Sequence, residues 1–89
     1  MKKIALLGDG ATHPGQIITT RATKTTAEGK LIAVEESLFE CQEDDHGTTP
    51  ITSSAKYTFV EGGKVILDGD EAECGARIIA STTKTFAEG

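Results

Sequence analysis

The sequence predicts an all-β fold: a small cone-shaped β structure of three pseudo-repeats with a metal site near its vertex. Three observations carry that expectation. Short runs rich in Thr, Ile and Val alternate with glycine-bearing turns, and nothing sustains a helical period. The C-terminal third of the chain repeats the N-terminal third. The only two histidines and two cysteines, His13, His46, Cys41 and Cys74, recur at matched separations.

In chain order, the first candidate strand, 3–7, is aliphatic and stops at Gly8-Asp9-Gly10. Pro14-Gly15 opens the second, 16–20, which is centred on Ile17-Ile18. The third, 30–34, follows Glu28-Gly29 and reads Lys-Leu-Ile-Ala-Val. The segment 33–41 is ambiguous, with Glu35-Glu36-Ser37 a candidate first turn of a helix. Past His46-Gly47 comes 56–60, where Tyr57 and Phe59 stand two apart and so share a strand face. Glu61-Gly62-Gly63 separates it from 65–67, and Asp68-Gly69-Asp70 precedes the last candidate, 77–80.

The repeat is explicit in the residues. Gly8-Asp9-Gly10-Ala11-Thr12-His13 lines up with Gly69-Asp70-Glu71-Ala72-Glu73-Cys74 at an offset of 61, as does Ile17-Ile18 with Ile78-Ile79. After one deletion, the run from Thr23 to Gly29 matches that from Thr83 to Gly89 at an offset of 60. A weaker middle copy runs from His46-Gly47 through Ile51 to Gly63-Lys64. Three units of about 30 residues describe the chain, and repeats of that length share one core.

The His and Cys separations are 41 − 13 = 28, 74 − 46 = 28, 46 − 13 = 33 and 74 − 41 = 33. Cys and His are the preferred ligands of Zn²⁺, and a closed structural site takes four of them in a tetrahedron. His13, Cys41, His46 and Cys74 are therefore the expected metal ligands, with structural Zn²⁺ as the expected cofactor. If they converge, the turns at Gly29, Gly62 and Gly89 lie at the other end, and the strands splay from a narrow metal end to a broad one.

Composition bounds the rest. Eighty-nine residues make one domain, 1–89, with no fused effector domain expected. A chain that is 37% hydrophobic, without Trp and with three Phe and one Tyr, has a thin core and a motive for a metal or a partner. The net charge is −5, and no Lys/Arg cluster interleaved with aromatics marks a nucleic-acid binder. The apolar run after Lys2-Lys3 is too short for a signal peptide, and no run is long enough for a stable membrane anchor. A cytoplasmic location follows, where paired cysteines are more often metal ligands or redox groups than structural disulfides.

Gly8-Asp9 followed by Thr12-His13-Pro14-Gly15, then Cys41 with His46-Gly47, then Gly69-Asp70 followed by Cys74-Gly75-Ala76, resembles the PAAR-repeat proteins. These are the spike-tip proteins of type VI secretion systems and contractile phage tails. The resemblance runs from Gly8 to about Ala80. It departs from the pattern in lacking the Pro-Ala-Ala-Arg tetrapeptide: 30–34 and 64–68 read Lys-Leu-Ile-Ala-Val and Lys-Val-Ile-Leu-Asp instead. Glu35-Glu36 replaces the middle Gly-Asp, and Gln42-Glu43-Asp44-Asp45 is unusually acidic. The resemblance implies a pointed β-cone with zinc near its vertex. Its broad base would sit on a trimeric VgrG-type spike, one tip per trimer, and it would sharpen that spike for membrane penetration and effector delivery. The implied course is cytoplasmic assembly followed by delivery on the spike tip, with separate effector cargo. Residues 56–60, 31–34 and Phe86 are nominated for the base.

Other readings of the same residues stand beside this one. Each Cys fits a small buried hydrophobe, and Cys41 with Cys74 fits a disulfide. A Cys–His catalytic dyad oriented by Asp9, Asp45 or Asp70 would need a substrate pocket that so small a core does not suggest, so no enzyme is expected. Gly8-Asp9-Gly10 lacks the remainder of a phosphate loop, and the acidic pairs lack EF-hand spacing. Phe39, Tyr57, Phe59 and Phe86 read as core or interface anchors. A stand-alone zinc-binding or redox-sensing β module is the alternative to a spike tip.

Overall fold

The structure, a computed structural model, describes residues 2–41 and 47–87, and every regular element among them is a β-strand. These are β1 (Lys2–Lys3), β2 (Gly10–Ala11), β3 (Gly15–Thr19), β4 (Thr26–Ala27), β5 (Lys30–Leu31) and β6 (Leu38–Cys41). They continue with β7 (Gly47–Thr52), β8 (Phe59–Val60), β9 (Gly63–Lys64), β10 (Glu71–Ala72), β11 (Ile78–Ile79) and β12 (Phe86–Ala87).

Three apolar tripeptides organise these short strands: Ile4-Ala5-Leu6, Ile32-Ala33-Val34 and Val65-Ile66-Leu67. Their middle residues close a ring of backbone hydrogen bonds. Ala5 N–H donates to Ile66 C=O (2.8 Å), Ile66 N–H to Ala33 C=O (2.9 Å), and Ala33 N–H to Ala5 C=O (3.0 Å). Antiparallel bridges Ile4↔Leu67, Leu6↔Ile32 and Val34↔Val65 complete the layer. Side chains alternate across extended backbone. Accordingly Ala5, Ala33 and Ile66 enter one buried cluster, while the six flanking residues enter another.

On the first face each tripeptide runs into a turn whose second residue is left-handed: Gly8 (φ 94°), Glu36 (φ 73°) and Gly69 (φ 90°). The residue after it reaches back to the tripeptide. Asp9 Oδ2 accepts from Leu6 N–H (2.8 Å), Ser37 Oγ from Val34 N–H (3.1 Å), and Asp70 Oδ2 from Leu67 N–H (2.7 Å). Each turn also brackets one isoleucine by backbone bonds: Ile17, Ile51 or Ile78. All three isoleucines are buried beside Phe39.

The ambiguous segment 33–41 is thereby resolved: 35–37 forms a turn into a strand and not the start of a helix. Helix propagation needs negative φ, and Glu36 adopts the opposite sign because Ser37 copies the side-chain bond that Asp9 and Asp70 make. The chain goes on as β6, which pairs with β3 and β7 in the sheet β10-β7-β6-β3. Strand β7 is not among the candidate strands, and it carries Pro50, a residue that lacks the N–H a ladder uses. Here the Pro50 carbonyl still serves the sheet, accepting Glu73 N–H (2.9 Å). The register of β3 against β6 slips between Ile17↔Phe39 and Thr19↔Leu38. This β-bulge at Ile18 lies just before the stretch, 19–22, in which the repeat offset changes from 61 to 60.

On the second face, hydroxyls of Thr20, Ser53 and Thr82 donate to the carbonyls of Ile32 (2.9 Å), Val65 (2.6 Å) and Ile4 (2.9 Å). Each repeat then forms a short antiparallel pair: Ala27↔Lys30 in β4–β5, Val60↔Gly63 in β8–β9, and Lys2↔Ala87 in β1–β12. Of the nominated 56–60, only Phe59–Val60 is strand. The first two pairs are hairpins with both central residues left-handed: Glu28 (φ 50°) with Gly29 (φ 88°), and Glu61 (φ 50°) with Gly62 (φ 87°). Asn or Gly would sit there with less strain, since a non-glycine residue at such φ costs on the order of 1 kcal/mol.

The glutamates offset that strain by clasping a neighbouring repeat, Glu61 the first and Glu28 the third. Glu61 accepts from the N–H groups of Thr23, Lys24 and Thr25 (3.0–3.1 Å), and Glu28 from those of Thr83 and Lys84 (3.1 Å) and the Thr85 hydroxyl (2.9 Å). The backbone donors from Lys24 and Thr23 hold the Glu61 carboxyl down to about 2, and those from Lys84 and Thr83 lower that of Glu28. Both carboxylates are more acidic when folded, so their contribution is complete above the unfolded value near 4.5 and is lost as pH falls toward 2. Thermal melts of wild type and Glu28→Gln/Glu61→Gln should show a lower Tm for the variant at pH 7, with the gap closing between about pH 5 and pH 2. A constant gap across that range would exclude the clasp.

Candidate metal centre

His13, Cys41 and Cys74 meet on the first face of the layer. His13 Nδ1 is 3.6 Å from Cys41 Sγ and 4.0 Å from Cys74 Sγ, and all three candidate ligand atoms lie within 4.8 Å of one another. With Zn–S of about 2.3 Å and Zn–N of about 2.0–2.1 Å, a tetrahedral S–N edge is about 3.5 Å. The three atoms are therefore spaced as three corners of a metal site, and their soft sulfur and imidazole donors suit Zn²⁺. The ring nitrogen that faces the sulfurs is Nδ1.

The convergence follows from the repeats. Each ligand stands nine residues beyond the first residue of its tripeptide: 13 − 4 = 41 − 32 = 74 − 65 = 9. The three positions are thus equivalent, one per repeat, and the separations of 28 and 33 are repeat lengths. His46 holds no equivalent position; it falls between β6 and β7, outside the described residues. The middle repeat is longer there, with 14 residues from Ser37 to Ile51 against 8 from Asp9 to Ile17 and 8 from Asp70 to Ile78.

Local backbone aims each ligand. Cys41 ends β6 and is paired on one side with Gly15 and on the other with Gly47. Gly15, at φ 143°, lies against Glu40, and a Cβ there would stand 1.9 Å from the Glu40 carbonyl oxygen. Only glycine lets the segment after His13 approach β6 so closely. Cys74 sits in the tight turn closed by Gly75 N–H to Ala72 C=O (2.8 Å). Burial raises the Cys74 thiol, but the Ala76 N–H, the Thr49 hydroxyl, Cys41 and its own N–H outweigh it and lower the pKa. The Thr49 hydroxyl is buried and makes no hydrogen bond of ordinary geometry among the described residues. A lowered pKa favours the thiolate, which is the metal-binding form.

The residues that sequence reasoning passed over are those that aim the ligands. Gly15 stands in the sequence as a turn residue and as part of the Thr12-His13-Pro14-Gly15 run, with no sign of its contact to β6, and nothing in the sequence signals Thr49. Asp9 and Asp70 carried a signal, the repeated Gly-Asp, but were weighed as turn residues or catalytic orienters. They are buried turn anchors that also bind the Ser81 and Ser54 hydroxyls. No pocket opens among the described residues.

The fold and site define a class: a single-chain, pseudo-threefold β domain with Cys and His side chains clustered closely enough to bind a metal. Sequence comparison specifies it further. The model of the PAAR motif matches residues 7–80, and the chain belongs to that family of structural spike-tip proteins. No curated protein matches the chain.

Substituting Gly15→Ala should lower Tm by about 10 °C or more, because backbone rather than a movable side chain occupies the Cβ site. It should also weaken metal uptake, measured by competition with a colorimetric chelator, since Cys41 is in register with Gly15. Gly29→Ala, where nothing lies within 4 Å of the added carbon, should cost less and leave metal uptake intact.

Proposed function

We propose that residues 1–89 act as the spike-tip domain that caps and sharpens a trimeric VgrG-type spike of a type VI secretion system, with one tip per trimer. The closed ring of Ala5, Ala33 and Ile66 carries this reading. A single chain with three equivalent backbone arms fits the end of a threefold-symmetric partner, each arm meeting one protomer. Family membership supports the same reading. The ligands lie on one face of the layer and the three strand pairs on the other, which suits a metal-bound point above a docking base.

The bound ion is Zn²⁺, with His46 as the fourth ligand beside His13, Cys41 and Cys74. Zn²⁺ supplies no reaction here: it ties the narrow ends of the three repeats together. An unfolded chain holds no formed site, so metal binding energy becomes folding energy. No helix among the described residues is long and apolar enough to cross a membrane. The tip is assembled onto the spike in the cytoplasm and delivered with it, carrying any effector cargo as a separate partner.

Metal analysis of purified protein should find one zinc per chain, and chelation should lower Tm by more than about 10 °C. Cys41→Ser and Cys74→Ser should each reduce zinc content and Tm together. A metal-free protein of undiminished stability would refute the zinc assignment. Mixing with purified spike trimer should give a complex of one chain per three spike chains. If no complex forms at micromolar concentrations while zinc is bound, the chain is a stand-alone zinc module.

A further inference from the structure

Lysine and glutamate are unevenly shared between the two faces, while both arginines stand with the acidic side: exposed Arg77 lies between Cys74 and β11, and Arg21 pairs with Glu36 (3.1 Å). All seven lysines belong to the strand-pair face. Lys2, Lys3, Lys30 and Lys64 are in β1, β5 and β9, and Lys24, Lys56 and Lys84 are in the three loops that precede β4, β8 and β12. Six are exposed and Lys64 is half-buried. The acidic side chains Glu35, Glu36, Glu40, Glu71 and Glu73 lie in the turns and ligand-bearing segments of the other face. Glu28 and Glu61 do share the lysine face, but their carboxylates are engaged by loop N–H groups.

Apolar groups stand among these lysines. Antiparallel partners share a sheet face. In each strand pair Ala27, Val60 or Ala87 packs on the buried cluster, so the neighbouring pairs Thr26↔Leu31, Phe59↔Lys64 and Phe86↔Lys3 face outward. Phe59 is 56% exposed, Phe86 44% and Tyr57 80%. By contrast Ile32 and Val34, nominated from sequence for the base, are buried core, as is Phe39.

We propose that this face is a cationic–aromatic docking surface, and that its partner is a threefold protein end with an acidic rim and apolar ground between the acids. Phe59 and Phe86 would seat in the apolar ground, as aromatic anchors commonly do. The lysines would pair with rim carboxylates and steer encounter, while the acidic far face repels the same rim and excludes the inverted orientation. A protein partner is favoured over an anionic membrane because the outward pairs occur at three equivalent positions around the backbone ring, an order that a fluid lipid surface does not require. This inference rests on the docking proposed above and adds the chemistry of the contact.

The test is equilibrium binding of the zinc-loaded tip to the purified spike trimer of its own source, across roughly 50–500 mM NaCl. Affinity should fall at least tenfold over that range. Lys3→Glu/Lys64→Glu should weaken binding at least tenfold at low salt, and Phe59→Ser/Phe86→Ser at any salt. The Tm of each should stay near wild type because these side chains lie outside both core clusters. The salt series on wild type needs no variant and stands if one fails to fold. Salt-independent binding that charge reversal leaves unchanged would overturn this inference and keep the docking. No binding at all would overturn the docking itself. Preferential binding to phosphatidylserine vesicles, or self-association abolished by Phe59→Ser/Phe86→Ser without trimer binding, would assign the face to a membrane or to a second copy of the chain.

Discussion

Everything in this domain hangs on three backbone hydrogen bonds that close on themselves, from Ala5 to Ile66, from Ile66 to Ala33 and from Ala33 to Ala5. An ordinary sheet of two-residue strands would be unstable, because each strand offers few bonds against the entropy of ordering it. Closure removes the exposed edges and lets each short segment be held from both sides. It also commits the tripeptides to one pattern: the middle residue packs toward the ligand end and its neighbours toward the strand pairs. A layer with two buried faces is enough to make a thin core effective, and only one large aromatic, Phe39, is spent inside it.

The metal centre is the same closure continued upward. Nine residues beyond each tripeptide's start the three chain paths come together, so a Cys or His there is brought to a common point without any long-range specification of its own. An ion bound there would bridge repeats that the ring already aligns, and the ring is in turn fastened by groups that cross between repeats, notably the hydroxyl of Thr82 on Ile4 and the carboxylate of Glu61 on Thr23 through Thr25. Coupling between the two ends is therefore mechanical. Loosening the narrow end frees three paths that converge on one small layer.

The fold class and the three-unit plan were legible because β-branched composition and recurring glycine turns are local signals, and the 61-residue offset is a direct comparison of residues. The convergence of three of the four candidate ligands was legible for a partly accidental reason. The matched spacings of 28 and 33 arise from repeat length, and that alone brings His13, Cys41 and Cys74 together, while His46 entered the pattern by falling 33 after His13. What resisted reading was tertiary. Ser37 standing in for Asp9 and Asp70 converts an apparent helix start into a turn, and the equivalence shows only once the tripeptides are superposed. The clasping role of Glu28 and Glu61 depends on a hairpin geometry that Glu does not advertise. The Gly15 contact depends on where β6 lies, which no local window reports.

A single chain that imitates threefold symmetry is free to break it where chemistry gains. A homotrimer would have to present three identical ligands and three identical corners. Here the equivalent ligand positions hold one imidazole and two thiols, a mixed donor set that suits Zn²⁺ better than three identical side chains need do. The equivalent outward corners hold Thr26, Phe59 and Phe86, and the position of Tyr57 in one loop is Lys24 and Lys84 in the others. The backbone bonds, which must close, keep the symmetry most strictly. Side chains keep it where the packing repeats, as at the buried Ile17, Ile51 and Ile78, and break it at the ligand positions and the outward corners of the strand pairs.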